Sequence, residues 1–183
     1  MCDFEERAAF IRKRLRGRVQ GPVLFSLLGN TLGNVDRYET TFMRQLQRLL
    51  EREDYLLLEV AILTPEWRLE NDIRYDLSRH NTVTRRFYSQ GLSLHTGEGL
   101  QSIVNVYEQR INVRAGHSDV PGAVSVDYVD RRTDRLIASL RRYDWNKFLA
   151  WLENFDFTVI SQPQNLAFEE GGIGIGAVLL KKR

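Results

Sequence analysis

Apolar residues run almost unbroken from Asp54 to Leu63 (DYLLLEVAIL), the pattern of a parallel strand covered on both faces and central in its sheet. A shorter apolar run, Val23 to Leu28, reads as another buried strand. It feeds a glycine- and asparagine-rich turn, LGNTLGNV, at positions 28–35. Beyond the turn, Asp36 is placed to cap a helix with Glu39 three residues on, and Tyr38, Phe42, Leu46 and Leu49 form that helix's inward stripe. Upstream, Phe4, Ala8, Ile11 and Leu15 recur on one helical face, and Gly17 or Gly21 ends that helix.

After the central run the periods change. Thr64 and Pro65 make an N-cap and first-turn pair for a helical segment reaching about Leu94, with a candidate break at His80 and Asn81. Ser102 to Arg114, Val120 to Val129 and Leu136 to Tyr143 then read as strands, and VSVDYVDRRTDRLIASL resembles a hairpin. Asp144 caps a short helix carrying Trp145, Phe148, Leu149 and Leu152. Phe157 to Ser161 and Ile173 to Leu180 read as two further strands, paired antiparallel as sequential neighbours.

Strand, helix, strand, helix in the first half implies a parallel sheet, and the rest is a run of antiparallel strands around one helix, so the fold class is α/β. The Arg-rich helix at 1–22 leads into one partial α/β domain at 23–183, with neither repeat nor linker. The strand at Val23 to Leu28 would be left with a free edge that carries no charge, proline or bulge, so something should cover it.

Composition narrows the setting. Of 183 residues, 43% are hydrophobic and 27% charged, enough for an ordinary core. No apolar run approaches the roughly 20 residues that span a bilayer. The only cysteine, Cys2, offers neither a disulfide framework nor a thiolate metal site, which fits a cytoplasmic location without requiring it. The net charge of +2 comes from arginine far more than lysine. Arg7, Arg12, Lys13, Arg14, Arg16 and Arg18 crowd the polar side of the first helix, where they either face solvent or grip a polyanion such as nucleic acid.

Several motifs fail on their context. GGIGIGAV at 171–178 lacks the helix that a dinucleotide fingerprint requires, and reads as a strand whose glycines allow close packing. His80, His95 and His117 have no carboxylate or cysteine at ligand spacing, so no metal site is expected. Ser26 lacks the surroundings of a nucleophile elbow.

The turn remains, either as a tight bend satisfied by its own asparagines or as a polar loop facing a ligand at the carboxyl end of a strand. Gly29, Asn30, Thr31, Gly33 and Asn34, followed by Val35, Glu39 and Phe42, resemble the LG-S/N-T-x-GN turn and following helix of the adenosylmethionine-dependent methyltransferases typified by the histidine-specific Nα-methyltransferases of ergothioneine biosynthesis. DYLLLEVAI is similar to that family's LLLG-x-D strand, with Glu59 for the glycine and Ala61 for the aspartate. Tyr75 and Asp76 resemble its Tyr-Asp pair, and Gln109 to Val113 its R-I strand motif.

The resemblance implies the carboxyl-terminal half of a Rossmann-like class I methyltransferase sheet, parallel strands followed by antiparallel ones, without the first strands. It implies S-adenosyl-L-methionine as cofactor beside Gly29, Asn30 and Thr31, and an amino acid or small amine held by Asn34 and Tyr75. An amide and a phenol suit that task, since both make directed hydrogen bonds. Methyl transfer from a sulfonium asks chiefly for an aligned, unprotonated nucleophile in a dry site. The family's glycine-rich loop and ribose-binding acid precede the turn, and residues 1–22 have no room for them. The chain is therefore expected to be inactive alone, and to form a homodimer or dock to an amino-terminal half. Ala138 and Leu140 stand where the family reads the imidazole with Glu and Ser, so histidine is not the expected acceptor. The alternative is a non-catalytic module using the Arg-rich helix on a polyanion.

Overall fold

The nine residues Tyr55–Leu63 form the central strand, β2. In the computed structural model, which describes residues 10, 13–14, 16–35, 38–68, 90, 93, 97–99, 107–112, 118–161, 166–168 and 173–183, the strand alternates strictly in burial. Leu56, Leu58, Val60 and Ile62 are fully buried, and the residues between them are half-buried. The expectation of a parallel strand covered on both faces is thus corrected: the run pairs antiparallel with the strand at Ile173–Lys182 and serves one deep face and one half-buried one. Each of the four deep side chains contributes about 2 kcal/mol by leaving water.

The strand's neighbours explain its length. On one side it pairs antiparallel along its whole run with β8 (Ile173–Lys182), from Tyr55 opposite Lys181 to Leu63 opposite Ile173. Its other side is shared. β1 (Leu24–Leu27) pairs parallel with Tyr55 to Leu58, and the end of β5 (Arg135–Asp144) pairs parallel at Ile62 and Leu63. Beyond β8 lie β6 (Phe157–Ser161) and the unforeseen short strand β7 (Leu166–Phe168), both antiparallel to it. β5 also forms the expected hairpin with β4 (Val124–Asp130), whose far side carries β3 (Tyr107–Asn112). Among the described residues the result is a mixed sheet of eight strands that uses β5 to pass from one set of partners to the other.

Two helices close the deep face. α1 (Glu39–Leu49) contributes Phe42, Met43, Leu46 and Leu49, and α2 (Trp145–Leu152) contributes Phe148, Trp151 and Leu152 to one buried cluster with β2, Val178 and Leu180. Asp144 caps α2 as expected, accepting from Lys147 N at 3.1 Å. α1 departs from expectation: its N-cap is Tyr38, with no side-chain cap, and Tyr38 is 51% exposed rather than inward. Asp36 lies outside the described residues. The first turn instead borrows a distant acceptor, since Thr40 N donates to Asp119 Oδ1.

Gly176 shows why the glycine-rich strand reads as packing rather than as a nucleotide loop. A Cβ there would stand 2.5 Å from Trp145 Cζ3 and 3.1 Å from Ile62 Cγ2, so the indole lies where a side chain would be. At the other end of the chain, residues 10, 13, 14 and 16 are helical, while Phe4, Ala8, Ile11 and Leu15 lie outside the described residues. Arg16 is not spread toward solvent: it bonds to the buried carboxylate of Asp54 and pairs with Glu51. Asp54 in turn accepts from Val23 N and Glu51 N, which fixes the entry to β1. Among the described residues β1 has no second strand partner, and Leu24 and Leu28, at and beyond its ends, are more than half exposed. No described helix is long and apolar enough to cross a membrane.

Candidate functional site

The turn at the carboxyl end of β1 is built by backbone conformations that few residues accept. Gly29 has φ 67° and Asn30 has φ 59°, two successive left-handed residues that reverse the chain into the 3₁₀ turn Thr31–Asn34. Thr31 Oγ1 donates back to Leu28 O at 2.6 Å and tightens the bend. Glycine and asparagine are therefore dictated here before any ligand is considered.

Asn30 has a further task. β1 stops pairing with β2 at Leu58, and β5 does not begin until Ile62. The asparagine side chain fills this gap. Its Oδ1 accepts from Ala61 N at 2.9 Å and its Nδ2 donates to Arg141 O at 3.0 Å, so one carboxamide stands in for a peptide group between two strands. Gly33 makes room for it: a Cβ at that position would stand 2.7 Å from Asn30 Cγ. The second glycine of the motif is thus required by packing.

Beneath the turn lies a closed polar cluster. Glu39, fully buried, accepts from Ser118 Oγ at 2.7 Å, Tyr143 Oη at 3.0 Å and Asp119 N at 3.3 Å, and faces Arg141 at 3.4 Å. Tyr143 also reaches Leu32 O at 3.4 Å, which ties the cluster to the turn. Burial raises the Glu39 carboxyl above the ordinary carboxylate range, although the Ser118 hydrogen bond and Arg141 oppose that effect. Burial, then the Glu39 charge, push the Tyr143 phenol well above its usual value. Glu39 was expected to serve a local capping box. Its actual partners come from some 80 to 104 residues later, and the sequence offered only an arginine and a tyrosine in a strand, Arg141 and Tyr143, as a signal.

The outward side is different. Gly29, Thr31 and Asn34 are exposed, whereas Leu32 and Gly33 are buried beneath them. Gly29 N donates to Glu59 Oε1 at 2.8 Å, which brings the carboxylate of β2 beside the start of the turn. The structure therefore joins Gly29, Asn30, Thr31 and Asn34 in one surface feature, and adds Glu59, whose part in it the sequence did not reveal. Tyr75, with Asp76, lies outside the described residues, as do His80, His95 and His117. Ala138 and Leu140 lie on β5 opposite Tyr128 and Val126. Among the described residues no group of three or more His, Cys, Asp or Glu could hold a metal ion. No protein-family model matches the chain, and no curated protein matches it.

Proposed function

We propose that this chain is the substrate-side part of an adenosylmethionine-dependent methyltransferase that acts on an amino acid or another small amine. The observation that carries the reading is the LGNTLGN turn at the carboxyl end of a parallel strand, the position where open α/β sheets gather ligands, with Gly29, Thr31 and Asn34 exposed on its outer side. The mixed sheet, in which β1 and β2 run parallel and β8 is antiparallel beside them, is compatible with the half-sheet this reading calls for.

The turn suits one wall of a cofactor site. Gly29 carries no side chain to obstruct a ligand, and Thr31 offers a hydroxyl oxygen at the surface. Asn30, committed to Ala61 and Arg141, contributes by holding the wall in shape. S-adenosyl-L-methionine would supply the methyl group as a sulfonium, while the residues of this chain bind and orient the acceptor. Asn34 and Tyr75 take that role, and β1 offers an edge to a second copy or to an amino-terminal half carrying the glycine-rich loop.

The test is calorimetric titration with free amino acids and, in parallel, with adenosylhomocysteine. Amino-acid binding lost in Asn34→Ala or Tyr75→Phe is expected. No amino-acid binding by the unaltered chain, or binding indifferent to both changes, would end the reading. Micromolar binding of adenosylhomocysteine would replace the expected inactivity of the isolated chain with a complete cofactor site, assembled within it or across its dimer.

A further inference from the structure

Among the described residues the buried carboxylates each have a guanidinium: Glu39 has Arg141, Asp54 has Arg16 and Asp130 has Arg132. Among the same residues Glu59 has none. It is half-buried on the shallow face of β2, with Leu57 and Ala61 two residues away on the same face and Ala177 directly across on β8. Its Oε1 accepts from Gly29 N, and among the described residues nothing binds Oε2. Half-buried, the carboxylate keeps one oxygen open to solvent and to a ligand that brings its own N–H donors. The described cations on that face are Arg142 of β5, beside Ala61 by register and already engaged, and Lys181, opposite Tyr55 at the start of the strand and paired with Glu53 at 2.8 Å.

We propose that Glu59 is the cation-recognising group of this site, so that the ligand beside the turn presents an ammonium group. The inference rests on the methyltransferase reading for the claim that this ligand is the methyl acceptor: it docks as a cation, gives one N–H proton to the Glu59 carboxylate, and the freed nitrogen lone pair takes the methyl group as the sulfide leaves. A single carboxylate beside apolar side chains suits an organic ammonium, which brings its own N–H donors and apolar stem. It does not suit calcium or magnesium, which need a shell of oxygens. An anionic ligand would be repelled.

The experiment is a titration of the full chain, followed through the Gly29 amide resonance, with phenethylammonium and its anionic counterpart 3-phenylpropionate. The variant is Glu59→Gln, whose amide oxygen still accepts from Gly29 N and so keeps the turn. Phenethylammonium is expected to shift the resonance in the unaltered chain, to bind at least about tenfold more weakly to Glu59→Gln, and to be favoured over the anion. The thermal midpoint of the variant should be unchanged. Equal binding to both proteins, binding of the anion as well as the cation, or no response of the unaltered chain would overturn the proposal. Glu59-dependent ammonium binding without amino-acid or adenosylhomocysteine binding would leave the cation site standing and remove the methyltransferase reading. Amino-acid binding that depends on Asn34 but ignores Glu59→Gln would do the reverse.

Discussion

Two glutamates flank the same turn and live under opposite rules. Glu39, below it, is sealed from water and held by Ser118, Asp119, Tyr143 and Arg141. Glu59, beside it, is half-buried and holds one backbone N–H. The difference separates what shapes the turn from what is available to meet a ligand. A buried network of directed hydrogen bonds specifies one geometry, while an acceptor left over at a surface is open for recognition.

The contrast can be broken from the inside. Gly33→Ala should have the largest effect, because its Cβ displaces the Asn30 carboxamide and strands both Ala61 N–H and Arg141 C=O. A loss of about 3 kcal/mol is expected in urea unfolding. A loss below about 1 kcal/mol would mean that the asparagine bridge is dispensable. Tyr143→Phe removes the hydroxyl that joins Glu39 to Leu32 O, and should cost about 1 kcal/mol in the same measurement. An unchanged midpoint would show that the cluster does not brace the turn.

Acidity sharpens the comparison further, with the smallest effect. Because burial raises the Glu39 carboxyl, the folded chain keeps a proton that the unfolded chain releases as the pH passes the ordinary carboxylate value. This contribution to stability is complete below that value and is lost as the pH rises through the raised one. Glu39→Gln does not titrate. As the pH rises from the ordinary carboxylate value through the raised one, the stability difference between the two proteins should therefore move in favour of the variant. A difference that stays flat, or moves the other way, would reverse the assignment.

Much of the frame was legible because it depends on near neighbours. The run at Tyr55–Leu63, the glycines and asparagines of the turn, the β4–β5 hairpin and the Asp144 cap each declare themselves within about ten residues. What escaped depends on distance. Asp119 completes the start of α1 from 79 residues away, and Asn30 bridges to a carbonyl 111 residues later. Glu39 looked like half of a local cap because a capping box and a buried ion pair ask for the same residue type. Likewise Glu59 interrupts an apolar run in the way any exposed strand residue does, and only the fold brings it to Gly29.

The pairing of β2 with β8 also governs the order of events during synthesis. Leu63 waits for Ile173, so 110 residues, 173 minus 63, must leave the ribosome before one edge of the central strand begins to close, and Tyr55 waits for Lys181. Until then the central strand of the nascent chain carries unpaired backbone groups beside apolar side chains, the kind of edge that invites capture by holding chaperones and slows the final step of folding.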